Sequence, residues 1–84
     1  MDVWAGWCTP CLTLKPVIER LAESYRDRVT VLTLDADTNL ETVTRFDVRS
    51  LPTVLLFADG ALVERTTGAQ SAGRYQAMLD RHLA

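Results

Sequence analysis

The sequence predicts an α/β fold with the order β-α-β-α-β-β-α. A four-stranded mixed sheet should carry helices on both of its faces. Three observations predict this. Strand-like apolar runs alternate with segments whose apolar residues recur every three or four positions. An Asp59-Gly60 pair between two β-prone runs is a hairpin signal. A last amphipathic segment follows that hairpin. A right-handed βαβ unit followed by a hairpin and a helix produces such a sheet.

Residues 1–5, Met1-Asp2-Val3-Trp4-Ala5, read as a short buried strand, and Gly6-Trp7-Cys8 as the turn out of it. From Thr9 to Tyr25, the apolar residues Leu14, Val17, Ile18, Leu21, Ala22 and Tyr25 lie on one helical face. Pro10 suits the first turn, where a missing N–H has no partner to lose. Pro16 stands well inside the pattern and is expected to kink the helix. Residues 29–36 are β-branched and apolar and read as a second strand. Residues 39–46 form a short helix, with Thr38 or Asn39 as its cap. Residues 53–58 are an apolar strand, and residues 61–67 return antiparallel across Asp59-Gly60. Ser71 then caps a final helix with Tyr75, Met78, Leu79 and Leu83 on its apolar face.

With 84 residues the chain is expected to form one small domain over 1–84. Net charge is −2 with both signs interspersed, so the basic stripe of a nucleic-acid surface is missing. No apolar run approaches the ~20 residues of a membrane span. Met1 runs straight into Asp2 without a basic or apolar leader, so no signal peptide is expected. Two cysteines three positions apart make no disulfide framework of the secreted kind. The expected setting is therefore cytoplasmic.

Those two cysteines carry the chemistry. In Trp7-Cys8-Thr9-Pro10-Cys11 they stand at the start of a helical pattern. The first thiol lies where backbone N–H groups and the helix dipole favour a thiolate. The second is a turn further in, close enough to attack a mixed disulfide formed by the first. Taken alone, the segment also fits a structural disulfide or half of a zinc site. Zinc takes four ligands, and the chain offers only these two cysteines and the remote His82, so no metal is expected.

Further blocks accompany the pair. Asp2-Val3-Trp4-Ala5-Gly6-Trp7-Cys8-Thr9-Pro10-Cys11 is followed by Lys15-Pro16 and Leu34-Asp35-Ala36-Asp37. Then come Val48-Arg49-Ser50-Leu51-Pro52-Thr53-Val54, Asp59-Gly60 and Thr67-Gly68-Ala69. In this order and spacing, over essentially the whole chain, the sequence resembles the thioredoxin family. The resemblance implies a thioredoxin-like fold and a thiol–disulfide oxidoreductase that reduces protein disulfides. It needs no cofactor beyond a redox-active Cys8–Cys11 disulfide. By that likeness Cys8 is the attacking thiol and Cys11 the buried resolving thiol. Asp2 is the buried acid behind Cys11. Pro52 matches the family's cis-proline facing the sulfurs, leaving the Leu51 backbone free to pair with an extended substrate. Trp7, Thr9, Pro10 and Gly68 match positions that line the substrate groove. Implied partners are disulfide-containing proteins and an electron donor of the thioredoxin-reductase type. Two other readings use the same site: a peptide-binding or co-chaperone module with minor redox activity, and an oxidase or isomerase.

The chain departs from the family's pattern in three places. It lacks the usual first strand and helix, so the domain reads as N-terminally shortened. The strand at 29–36 then becomes a sheet edge, open to self-association with another copy. Thr33 stands where better-known members carry a lysine that pairs with the buried acid, which makes ionisation of Asp2 harder. Thr9 replaces a glycine between the cysteines, and Leu12 a lysine just after them, so the field around Cys8 is less positive.

Other polar residues read as structural. Trp4 belongs to the core and Pro16 only shapes its helix. Asp35 and Asp37 lie at a strand end and read as caps. His82 sits in a last helical turn, where positive charge suits the dipole. Arg45, Arg49 and Arg65 are scattered and read as solvated surface.

Overall fold

Alternation in the first residues sends Val3 and Asp2 to opposite faces of the chain. In the computed structural model, which describes residues 1–83, that stretch becomes a central strand. It is β1 (Asp2–Trp4), followed by helix α1 (Thr9–Ser24), β2 (Thr33–Asp35) and a 3-10 turn at Ala36–Thr38. The short helix α2 (Leu40–Arg45), the hairpin of β3 (Thr53–Ala58) and β4 (Ala61–Thr67), and α3 (Ala72–Leu83) complete the order. The sheet runs β2-β1-β3-β4. β1 is parallel to β2 and antiparallel to β3, and β3 is antiparallel to β4, so the sheet is mixed as predicted.

Helices cover both faces. On one, Leu14, Ile18 and Leu21 of α1 and Tyr75, Met78 and Leu79 of α3 pack over Val54. On the other, Val3, Ala36 and Leu55 are buried together beneath Val43 and Phe46. Each such aliphatic side chain contributes about 1.5–3 kcal/mol on burial, which is what holds helices this short to a four-stranded sheet. Polar links fix their placement. The Tyr25 hydroxyl donates to Asp80 at 2.7 Å and ties the end of α1 to α3. Ser71 Oγ accepts the Arg74 N–H at 3.2 Å and caps α3. Arg65 of β4 donates to the carbonyls of Phe46 and Asp47 at the end of α2. Arg65 is exposed, as expected, and also closes the end of α2.

Several expectations are corrected. The predicted strand at 29–36 pairs only over Thr33–Asp35. Its register sets Asp2 beside Thr33, so residues 29–32 run past the start of β1 and retain one bond to it, from Asp2 N–H to the Leu32 carbonyl. β3 likewise runs past Met1 on the other side. A groove of about 550 Å³ opens between residues 29–32 and 56–58. The first strand spans residues 2–4 rather than 1–5. Asn39 holds the position before α2 without a capping bond, because its amide donates back to the Asp35 carbonyl and Thr38 Oγ1. Leu83 is exposed. Among the described residues no helix is long and apolar enough to cross a membrane.

Candidate active site

The turn after β1 delivers Cys8 to the start of α1. Cys8 has extended backbone angles (φ −92°, ψ 102°) and stands at the cap position, its sulfur accepting the Cys11 N–H at 3.3 Å. Its carbonyl accepts the Leu12 N–H at 3.2 Å. Thr9 and exposed Pro10 open the helix, where the missing proline N–H removes no bond. Cys8 and Cys11 are joined as a disulfide, with Cα atoms 5.3 Å apart. Both are buried, at 5% and 3% exposure. The N–H that already points at Cys8 Sγ, together with the helix dipole, favours a thiolate there when the bond is opened.

Ala5, Cys8 and Cys11 form a small buried cluster, with Trp4 and Leu51 packed against it. The Leu51–Pro52 peptide bond is cis and Pro52 is fully buried. The Pro52 carbonyl accepts the Gly68 N–H at 2.8 Å, which brings the end of β4 beside the cysteine-bearing end of the sheet. Gly68 has φ +80°, and a Cβ there would meet nothing within 4 Å. Backbone conformation rather than crowding therefore makes glycine the fit.

Trp7 stands on the rim at 69% exposure. Its indole N–H points at both carboxylate oxygens of Asp37, at 3.0 and 3.2 Å. Asp35 caps the 3-10 turn by accepting the Asp37 N–H at 2.9 Å, which leaves the Asp37 side chain free to hold the ring. An exposed tryptophan is thus pinned in one orientation next to Cys8. Asp37→Ala is expected to free it. The Trp7 indole N–H should exchange with solvent roughly fivefold faster by NMR, as loss of a hydrogen bond worth about 1 kcal/mol requires.

Asp2 is buried, at 6% exposure, and its Oδ1 has no hydrogen-bond partner. Burial pushes its carboxyl above the usual range, partly offset by the Met1 ammonium. Burial in turn lowers that ammonium, and Asp2 counters the change. Thr33, the residue paired with Asp2 in β2, is exposed and brings no charge. Among the described residues no group of three or more His, Cys, Asp or Glu side chains converges as metal ligands do. His82 of α3 lies 2.9 Å from Glu64 of β4, which Arg81 also binds. Hydrogen bonds from Arg81 and His82 hold the Glu64 carboxyl below its usual range.

Two neighbours of the site escaped the sequence reading. Trp4 was expected in the core, and it is half-buried against the cysteine cluster. Asp37 was expected only as a cap, and its carboxylate is the Trp7 acceptor across 30 residues of sequence. No local pattern signals either contact.

Known proteins match this arrangement. The family model described as Thioredoxin matches residues 1–81. A thioredoxin of Staphylococcus aureus (strain Mu50 / ATCC 700699) is 40% identical over 83 residues, covering 99% of this chain and 80% of that protein. A thioredoxin of Staphylococcus haemolyticus (strain JCSC1435) is 41% identical with the same coverage.

Proposed function

This chain belongs to the thioredoxin family and is a thiol–disulfide oxidoreductase that reduces protein disulfides, and from that premise we propose how its residues divide the work. Cys8 thiolate attacks one sulfur of a substrate disulfide. A mixed disulfide forms and the other substrate sulfur leaves as a thiolate. Cys11 then loses its proton to Asp2, attacks Cys8 Sγ, and expels the second substrate sulfur. The chain ends as the Cys8–Cys11 disulfide and the substrate as a dithiol, a two-electron exchange with no other reactant. The observation that carries this reading is the helix start itself. Cys8 sits at the cap with the Cys11 N–H on its sulfur, and Cys11 is within bonding distance one turn on.

The substrate segment lies against Trp7, Thr9, Pro10, Leu51, Pro52 and Gly68. Leu51 already touches the cysteine cluster, Gly68 is tied to Pro52, and Trp7 offers a flat apolar face held in place by Asp37. An extended peptide fits such a rim by backbone pairing, with apolar contact to the ring. A thioredoxin-reductase-type protein returns the electrons, and the setting is cytoplasmic. The test is turnover of a soluble protein disulfide such as that of insulin by the reduced chain. Product thiols should appear in step with loss of the chain's own dithiol. A chain that binds the substrate but yields no thiols rules the reading out.

Self-association at the 29–36 edge belongs to the same proposal. β2 is an outer strand, residues 29–32 leave part of their backbone unpaired, and Leu32 is 55% exposed. Residues 29–34 of this edge carry no charge or proline to deter pairing, and its one charge, Asp35, lies at the far end of β2. Sedimentation is expected to show the weight-average mass rising with concentration, and Leu32→Lys to hold it at the monomer. A concentration-independent monomer disproves the pairing.

A further inference from the structure

Cys8 is only 5% exposed, so a substrate reaches its sulfur across the side chains around it. The helix start decides which side chains those are. Cys8 caps α1, which puts Trp7 one position before the cap and Leu12 four positions after it. The Leu12 N–H lies 3.2 Å from the Cys8 carbonyl, so Leu12 stands one turn above the cysteine. A helical side chain tilts toward the N-terminus and covers the turn beneath its own Cα. For Leu12 that turn holds Cys8 and Thr9. The core does not claim this leucine. α1 buries Cys11, Leu14, Ile18 and Leu21, and Leu12 is 49% exposed.

An isolated exposed leucine needs no explanation. Leu12 is not isolated, because Trp7 precedes the same cysteine and is also exposed. Residues at these two positions around a cap often pack together as a hydrophobic staple, which would cover both. Here the indole N–H is turned to Asp37 and both side chains stay open. Two large apolar surfaces therefore flank the nucleophile. Charge is missing from the same place. Residues 3–14 carry none, and the first charged residue of α1 is Lys15. The Asp37 carboxylate is committed to the indole.

We propose that Leu12 is a specificity-determining residue. With Trp7 it forms an apolar rim that selects protein disulfides whose attacked cysteine has a large apolar neighbour. The inference rests on the reading of Cys8 as the attacking thiol. Residues next to the attacked cysteine are the ones that must cross this rim. An apolar side chain there covers the leucine and the ring and leaves water itself. A carboxylate would lose water and meet no cation in the first turn of α1. Selection thus has an attractive and a repulsive part.

The test uses the reduced full chain and its Leu12→Ala, Leu12→Lys and Cys8→Ser variants. The substrates are two disulfide-linked peptide homodimers that differ at one residue, leucine or aspartate beside the cysteine. Release of peptide thiol is timed, and each rate is divided by that peptide's rate with mercaptoethanol. The leucine-to-aspartate ratio then cancels any change in thiolate fraction, because both peptides meet the same Cys8. The wild-type ratio is expected to be about tenfold. Leu12→Ala should lower it about three- to tenfold, which is what covering the open half of a leucine supplies. Leu12→Lys should lower it by about two- to fivefold more, since an exposed cation now meets the aspartate. A wild-type ratio near one, or a ratio that neither substitution moves, overturns the inference and leaves the Cys8 reading standing. Thiol release undiminished in Cys8→Ser overturns the Cys8 reading itself, whatever the ratios do.

Discussion

Cys8→Ser is expected to abolish disulfide reduction, while Cys11→Ser is expected to stop the reaction halfway. The two sulfurs are not equivalent. Cys8 occupies the cap of α1, where the helix N–H groups and the dipole act on it, and the Cys11 N–H already points at its sulfur. A serine oxygen there is far too basic to be a nucleophile under the same field. Turnover should fall to the background rate, a loss of at least roughly a thousandfold on the scale of other lost nucleophiles. Cys11 acts only afterwards. Without it the first attack still proceeds, but nothing nearby expels the substrate from Cys8. Mass spectrometry should then show the chain plus one substrate as a covalent adduct, cleaved by added dithiol. The adduct distinguishes an exchange enzyme from a binding module, whose complex would dissociate on denaturation. If Cys11→Ser turns over normally, or if Cys8→Ser forms the adduct in its place, the assignment of attacking and resolving thiols is wrong.

The geometry behind these expected roles was readable because it is local. A cap position, a helix start and a three-residue spacing all lie within one turn of chain, and local geometry follows from local sequence. The helices of the fold were legible for the same reason. The apolar step from Leu14 to Leu21 fixes which face α1 buries, and Ser71 marks where α3 begins. The edge strand was not, because strand length depends on the partner. Residues 29–32 have the composition of a strand, yet β1 pairs only with Thr33–Asp35, and an unpaired run does not become sheet however β-prone it is. The contacts that dress the site were hidden too. Asp37 holds Trp7 through a turn that Asp35 shapes, across 30 residues of sequence, and such a tertiary contact is not encoded in local propensity.

Asp2→Asn is expected to make the chain more stable and a slower enzyme. The stability half follows from burial, which raises the Asp2 carboxyl above its ordinary value in the folded state. A group shifted in that direction stabilises the fold fully only below its unfolded pKa. Stability is then lost as pH rises through the window between the ordinary value and the raised folded one. At neutral pH the wild type carries that loss and the amide does not. The gain should be about 1.4 kcal/mol for each pH unit by which burial raises the carboxyl. A chain of this size gains roughly 4–8 °C in Tm for each kcal/mol. Thermal melts from pH 4 to 9 should show the wild type falling as pH rises and the variant nearly flat by comparison. The catalytic half has the opposite sign. Without a base behind it, Cys11 must ionise unaided, so resolution of the mixed disulfide should slow roughly a hundredfold at neutral pH. It should recover as pH approaches the ordinary thiol range near about 8.5. A variant that is neither more stable nor slower would mean that the orphaned Oδ1 is met by groups that neutralise its burial, and that Cys11 finds its base elsewhere. If both effects appear together, Asp2 costs the fold stability and serves the second thiol, an exchange of stability for a proton acceptor.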